Sequence, residues 1–293
     1  MTGADGFIGR QAILPLIAKG YEVHAVSNRQ PTDDLIFENV IWHKTNLLDA
    51  IEIENLCRTI QATHLLHFAW YVEHGKFWNA PENEIWTNAS LHLIETFNRS
   101  GGERIVIAGT CAEYEWGKDA ILHETKTPLI PQNFYGECKV KLQKKLAESG
   151  NSQAWGRIFF LYGEFETSQR LIASVINSLL KNEFADCSHG RQVRDFLYVK
   201  DVADAFVALL DSNVQGAVNI ASGKSRTIRE IVLIVAKVLG KVENLRFGII
   251  PSPENDPQSI IADTQRLNSE IGWSAKYTLE EGITETIKWW KNR

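Results

Sequence analysis

Two segments of the chain read Tyr-x-x-x-Lys: Tyr114–Lys118 (YEWGK) and Tyr135–Lys139 (YGECK). Four residues of helix bring two side chains to one face, so a lysine ammonium can sit beside a phenol and stabilise its anion. An unperturbed phenol titrates near ~10, and without such a cation it exchanges protons poorly at neutral pH. Tyr135 opens a long helical run after Pro131, whereas the Tyr114 window follows a strand and contains Gly117. The second pair is therefore the candidate for proton transfer. Thr110 ends the apolar run RIVIAG. If that run is a strand of a parallel sheet, its end faces the ligand crevice and the hydroxyl can bond a substrate oxygen. Thr110, Tyr135 and Lys139 make one candidate catalytic group.

A second pattern stands at the start of the chain. Gly3, Gly6 and Gly9 in TGADGFIGR form GxxGxxG, with Phe7 and Ile8 inside it and a helical stretch directly behind. Glycine at a strand-to-helix turn lets the backbone approach a pyrophosphate at the positive end of the helix. The run GYEVHAVSNR comes next at the spacing of a second strand, whose tip meets the adenosine ribose about 20 residues beyond the loop. That tip reads Ser27-Asn28-Arg29, where a site selecting NAD carries Asp or Glu. A carboxylate repels a 2′-phosphate, while Ser, Asn and Arg donate hydrogen bonds to it. NADP is the expected cofactor, with NAD as the alternative.

The elements that position these residues alternate. Short apolar runs at Glu22–Ser27, Val40–His43, His64–Ala69, Arg104–Gly109 and Arg157–Tyr162 are separated by helical spacings at Ile51–Gln61, Pro81–Asn98 and Phe134–Glu148. This is the pattern of βα repeats around a parallel sheet, an α/β fold. Beyond Gly163 come helices near Leu171–Leu180 and Ile228–Leu239, a loop, strand and helix in GRQVRDFLYVKDVADAFVALL, and a strand at Val218–Ala221. The expected division is a dinucleotide-binding domain over 1–162 and a smaller substrate lobe over 163–293, with segments at about 194–222 returning to the first domain.

Composition narrows the class. With 293 residues, 44% of them hydrophobic, the chain can bury a large core. A formal net charge of -5 gives no sign of a basic surface for nucleic acid, and none is expected as a partner. No apolar run approaches the ~20 residues of a membrane span, and no signal peptide is evident. Cys57, Cys111, Cys138 and Cys187 lie far apart with no metal-ligand spacing, so reduced thiols in a cytoplasmic protein and no metal site are expected.

Taken jointly, TGADGFIG, HFAW, GTCAEY, YGECK, RDFLYVKDVADA, IGW and LEEGI cover nearly the whole chain. They resemble the extended short-chain dehydrogenase/reductases of the nucleotide-sugar epimerase/dehydratase group. The resemblance implies a Rossmann-type doubly wound parallel sheet with a smaller C-terminal lobe. It makes Tyr135 the acid/base, has Lys139 bind the nicotinamide ribose and lower the tyrosine pKa, and has Thr110 bond the reacting oxygen. Asn46 and Leu47 fall near the adenine, Ala69 and Leu161 where backbone passes the cofactor, and Arg194 matches an arginine that contacts the sugar-nucleotide diphosphate. Glu113 occupies a usually apolar position, where it bonds a sugar hydroxyl or faces solvent. Trp70, Tyr71, Trp78 and Trp86 are either a pocket wall or core. Phe160 stands where relatives carry a substrate-binding asparagine, and SPENDPQS lacks the arginine expected near Pro253.

Relatives share hydride transfer and differ in their later steps. Cys111 and Ala112 replace the Asp-Glu pair of the 4,6-dehydratases, and no cysteine stands two residues after Thr110 as in the 3,5-epimerase/reductases. The expected activity is NADPH-dependent reduction of a nucleoside-diphosphate 4-keto-6-deoxyhexose. The alternatives are a 4-epimerase with retained NAD and a non-catalytic NADP-binding sensor. A homodimer through Pro81–Asn98 and Phe134–Glu148 is implied by resemblance. The glycine loop of such proteins comes after a central strand, yet only Met1 and Thr2 precede Gly3 here. The expectation is a natural start upstream, with that strand missing from this chain.

Overall fold

The computed structural model describes residues 1–117, 120–150, 152–252 and 256–293. Its helices are α1 (Gly9–Ala18), α2 (Ala50–Ile60), α3 (Glu82–Arg99), α4 (Phe134–Ala147), α5 (Leu171–Leu180), α6 (Val199–Leu210), α7 (Ile228–Leu239) and α8 (Leu279–Lys291). Its strands are β1 (Val23–Ser27), β2 (Val40–Lys44), β3 (His64–His67), β4 (Arg104–Thr110), β5 (Ser152–Ile158), β6 (Phe160–Tyr162), β7 (Ala185–Cys187), β8 (Val193–Tyr198), β9 (Gly216–Ile220), β10 (Ser225–Thr227), β11 (Leu245–Phe247) and β12 (Ser259–Ile260). Among the described residues no helix is long and apolar enough to cross a membrane.

The main sheet is parallel. β2 pairs with β1, and β3, β4, β5 and β9 pair in that order. Thr2 joins the two halves through parallel bridges to Val26 and His67. Its amide donates to the Leu66 carbonyl at 2.9 Å, and the Val26 amide donates to the Met1 carbonyl at 2.9 Å. Beside Met1, between Val23–His24 and His64–Leu66, lies a cavity of about 240 Å³. Met1 and Thr2 thus lie between β1 and β3 in the sheet.

β4 shows why the sheet is covered on both faces. Its side chains alternate: Val106 and Ala108 pack with Ile13, Leu16 and Phe206 on one side, while Ile105 and Ile107 pack with Ile53, Leu93 and Leu142 on the other. An apolar run in a central parallel strand is buried on both faces, and each fully buried Val or Ile in it contributes roughly 1.5–3 kcal/mol. α2 starts where expected because the Asp49 carboxylate accepts from the Ile51 and Glu52 amides.

The run expected as one strand from Arg157 to Tyr162 is two. β5 starts earlier, at Ser152, and the Phe159 amide makes a last bond to the Ile220 carbonyl at 3.2 Å. The chain then crosses to a second sheet, where β6 and β12 pair in parallel with β8 and β10 pairs with it antiparallel. β9 returns to the main sheet beside β5, and α6 packs against α1.

Candidate active site

A cavity of about 710 Å³ opens beyond the carboxyl ends of the parallel strands. Its lining tracks the chain as each strand ends: Ser27, Asn28 and Arg29 after β1, Asn46 and Leu47 after β2, Ala69 and Trp70 after β3, and Thr110 at the tip of β4. Gly3, Gly6, Phe7, Ile8 and Gly9 close one side, and Tyr135, Leu161 and Arg194 join from elsewhere. Every residue assigned to the cofactor from sequence lines this space except Lys139. The loop fits a dinucleotide phosphate: a Cβ at Gly9 would stand 2.0 Å from the Gly3 carbonyl oxygen, so only glycine allows α1 to start this close to the loop.

Thr110 and Tyr135 meet because α4 can approach the turn after β4. A Cβ at Gly136 would lie 2.4 Å from the Ala112 carbonyl oxygen, and the Asn133 side chain caps the helix by accepting from the Gly136 amide at 2.9 Å. Burial pushes the Tyr135 phenol well above its ordinary range, and the neighbouring Thr110 side chain pulls the other way. The tyrosine ring is held edge-on by Phe77 at 5.0 Å and by Trp78 at 6.1 Å. Phe77, Trp78, Trp86 and Trp116 line the cavity with Trp70. Tyr71 instead donates to Glu73 at 2.9 Å.

Lys139 stands differently from the sequence expectation. Its ammonium donates to the Ala108 carbonyl at 2.9 Å, lies 3.6 Å from the centre of the Trp70 ring and is 5.9 Å from that of Tyr135. It is buried and does not line the cavity. Burial lowers its pKa to about 7. In this arrangement Thr110 and the Arg170 charge are the neighbours that favour the Tyr135 anion. The physical reason for the lysine's placement is Trp70, the last residue of HFAW, whose face takes the cation.

Glu113 needs a full correction, because it neither faces solvent nor reaches the cavity. It is fully buried, and its carboxylate accepts from the Thr110 amide at 2.7 Å, Trp155 Nε1 at 2.9 Å and Arg157 Nε at 2.6 Å. Arg157 also donates to the Tyr114 hydroxyl at 2.9 Å, which donates to Asn219 at 2.7 Å. Glu113 fixes the turn that carries Thr110, and Tyr114 is spent in the same network. Lys118, the partner in the rejected Tyr-x-x-x-Lys pair, and Pro253 lie outside the described residues.

The arginines are matched by acids that the sequence reading did not single out. Arg29 donates through Nε and Nη2 to Asp5 in the glycine loop, at 3.0 and 2.7 Å. Arg194 is buried, donates to the Pro257 carbonyl at 2.8 Å and pairs with Asp256. Two further lining residues were missed, Glu166 and Arg170, the second at the N-cap of α5. A basic residue where a strand-loop segment enters a helix is the signal that would have found Arg170, since helix N-termini attract anions.

A parallel sheet with a glycine-rich turn into α1, and a cavity at the carboxyl ends of its strands, is the arrangement of a dinucleotide-binding enzyme. The family model described as the NAD dependent epimerase/dehydratase family matches residues 1–221, and the chain belongs to that family. It is similar to CDP-abequose synthase of Salmonella muenchen, 24% identical over 98% of this chain and 96% of the relative. It is equally similar to UDP-glucose 4-epimerase of Rhizobium meliloti (strain 1021), 24% identical over 100% and 96%. Among solved structures, UDP-glucose 4-epimerase of Thermus thermophilus in complex with NAD superposes with a TM-score of 0.87, at 25% identity over 99% of this chain and 97% of that one.

Proposed function

We propose that this protein is a cytoplasmic reductase that uses NADPH to reduce the keto group of a nucleoside-diphosphate 4-keto-6-deoxyhexose. The observation that carries the reading is that Thr110, at the tip of β4, and Tyr135, in the first turn of α4, line one cavity with the glycine loop. A bound dinucleotide supplies the hydride. Thr110 donates a hydrogen bond to the substrate carbonyl oxygen, and Tyr135 gives that oxygen its proton. Because burial holds the phenol in its neutral form, Tyr135 is set as a donor, which is the role a reduction needs. Lys139 holds the end of the strand that carries Thr110, through its bond to the Ala108 carbonyl behind Trp70. The aromatic side chains around Tyr135 offer an apolar wall to a deoxygenated sugar face. The turn after Thr110 adds no carboxylate for elimination chemistry: the Cys111 thiol is pushed up to about 12 by burial, and Glu113 is paired behind the turn. Arg170 and Arg194 are the cations assigned to the substrate diphosphate, Arg194 after release from Asp256. A homodimer built on α3 and α4 belongs to the same proposal.

One observation favours a 4-epimerase with retained NAD. Arg29, the residue assigned to the 2′-phosphate, is already neutralised by Asp5. The readings separate in one assay: a reductase consumes NADPH stoichiometrically with a 4-keto sugar nucleotide, whereas an epimerase carries bound NAD and shows no net oxidation. Tyr135→Phe is expected to abolish turnover while dinucleotide binding, followed by tryptophan fluorescence, is kept. Turnover above a tenth of the native rate would remove Tyr135 from the role.

A further inference from the structure

One side chain in the cavity has a bonding need that neither the protein nor the proposed proton transfer meets. Glu166 is 5% exposed and lines the cavity, and its Oε2 has no hydrogen-bond partner. Buried polar atoms are satisfied as a rule, so an orphan facing a ligand space points to the ligand. The loop that carries Glu166 is clamped to the start of α1. The Arg10 guanidinium, in the first turn of that helix, lies 3.6 Å from the centre of the Phe165 ring. Phe165 itself holds φ 70°, a left-handed backbone that a phenylalanine rarely adopts. Phe7 and Ile8 pack into the same apolar cluster as Tyr162 and Ile172. Glu166 is thereby fixed between the N-termini of α1 and α5, where a diphosphate is attracted.

We propose that the Glu166 carboxyl donates a hydrogen bond to a diphosphate oxygen of the bound dinucleotide, so that cofactor affinity depends on its carrying a proton. This rests on the dinucleotide reading above. Burial raises the Glu166 carboxyl to about 8 against the pull of Arg170, so the acid form is the main one at neutral pH. The other charges around its loop are Arg10 from α1 and Arg293 from the C-terminus, both against the Phe165 ring, and Lys200 from α6, paired with Glu164 at 2.8 Å. Once ionised, the carboxylate repels the diphosphate and loses its only donor.

The test is dinucleotide affinity from pH 6 to 9, measured separately with NADH and NADPH on the purified protein, its Glu166→Gln variant and its Arg170→Ala variant. The native protein is expected to bind both cofactors about tenfold more weakly at pH 9 than at pH 7. Glu166→Gln keeps a neutral N–H donor and should bind with little change across that range. Arg170→Ala, which removes a nearby cation, should move the fall to higher pH. Flat native binding, a fall that persists in Glu166→Gln, or a fall with NADPH alone would each overturn the proposal and leave the enzyme reading intact. Binding of neither dinucleotide at any pH would overturn both.

Discussion

Glu113 and Glu166 are both buried glutamates on turns that come after a strand, one after β4 and one after β6. They differ in what remains of their bonding capacity. Glu113 accepts hydrogen bonds from a backbone amide, an indole and a guanidinium on the protein side of the Thr110 turn. Glu166 keeps an oxygen unpaired, and the cavity lies in front of it. Burial alone therefore does not separate an acid that builds a site from one that meets a ligand; the remaining donors and acceptors do. The same contrast holds for tyrosines. Tyr114 is fully buried and committed to Arg157 and Asn219, while Tyr135 is only half-buried and lines the cavity beside Thr110.

The largest effect that would break this contrast is on stability. Glu113→Ala leaves the Arg157 charge and the Thr110 and Trp155 donors unpaired, and removing one partner of a buried ion pair costs about 3–5 kcal/mol. A urea melt showing less than about 1 kcal/mol would mean that the network does not hold the turn. A smaller effect sharpens the comparison from the other side. The Glu166 proton is held more tightly in the folded chain than at the ordinary value of 4.5, so the stability this supplies is full below about 4.5 and is lost as pH rises through about 8. Glu166→Gln removes that titration, and its melting temperature should gain on the native protein steadily between pH 5 and 9. A constant difference would mean that Glu166 titrates normally. The smallest effect belongs to the exposed pair at the adenosine end. Arg29→Ala should cost less than about 1 kcal/mol in stability, because Arg29 is 74% exposed beside Asp5. Its consequence should instead be a severalfold loss of preference for NADPH over NADH, and an unchanged ratio would detach Arg29 from cofactor selection.

Much of the frame was legible in the residues because its causes are local. α5 and α7 have the bounds that apolar spacing marks, and α2 and α4 fall within a residue of theirs. Capping boxes at Thr227–Glu230 and Thr278–Glu281 start the last two helices within three residues of sequence. The cavity lining was legible for a related reason. In a parallel sheet every strand end faces one edge, so residues that terminate apolar runs must gather there. β5 was not fully legible, because Ser152 and Gln153 carry no strand signal and are held by pairing with β4 rather than by propensity.

Sequence by itself determined the classes of residue and their order: a glycine turn into a helix, a threonine at a strand end, a tyrosine and a lysine one helical turn apart. Each arises from backbone geometry over fewer than ~10 residues. Only the tertiary structure decided where the charges point. It turned Lys139 toward Ala108 under Trp70, spent Glu113 on Arg157 and set Asp5 against Arg29. Such pairings join residues tens of positions apart, and for the buried Lys139 and Glu113 low dielectric makes them exclusive, since a buried charge satisfied by one partner is lost to any other.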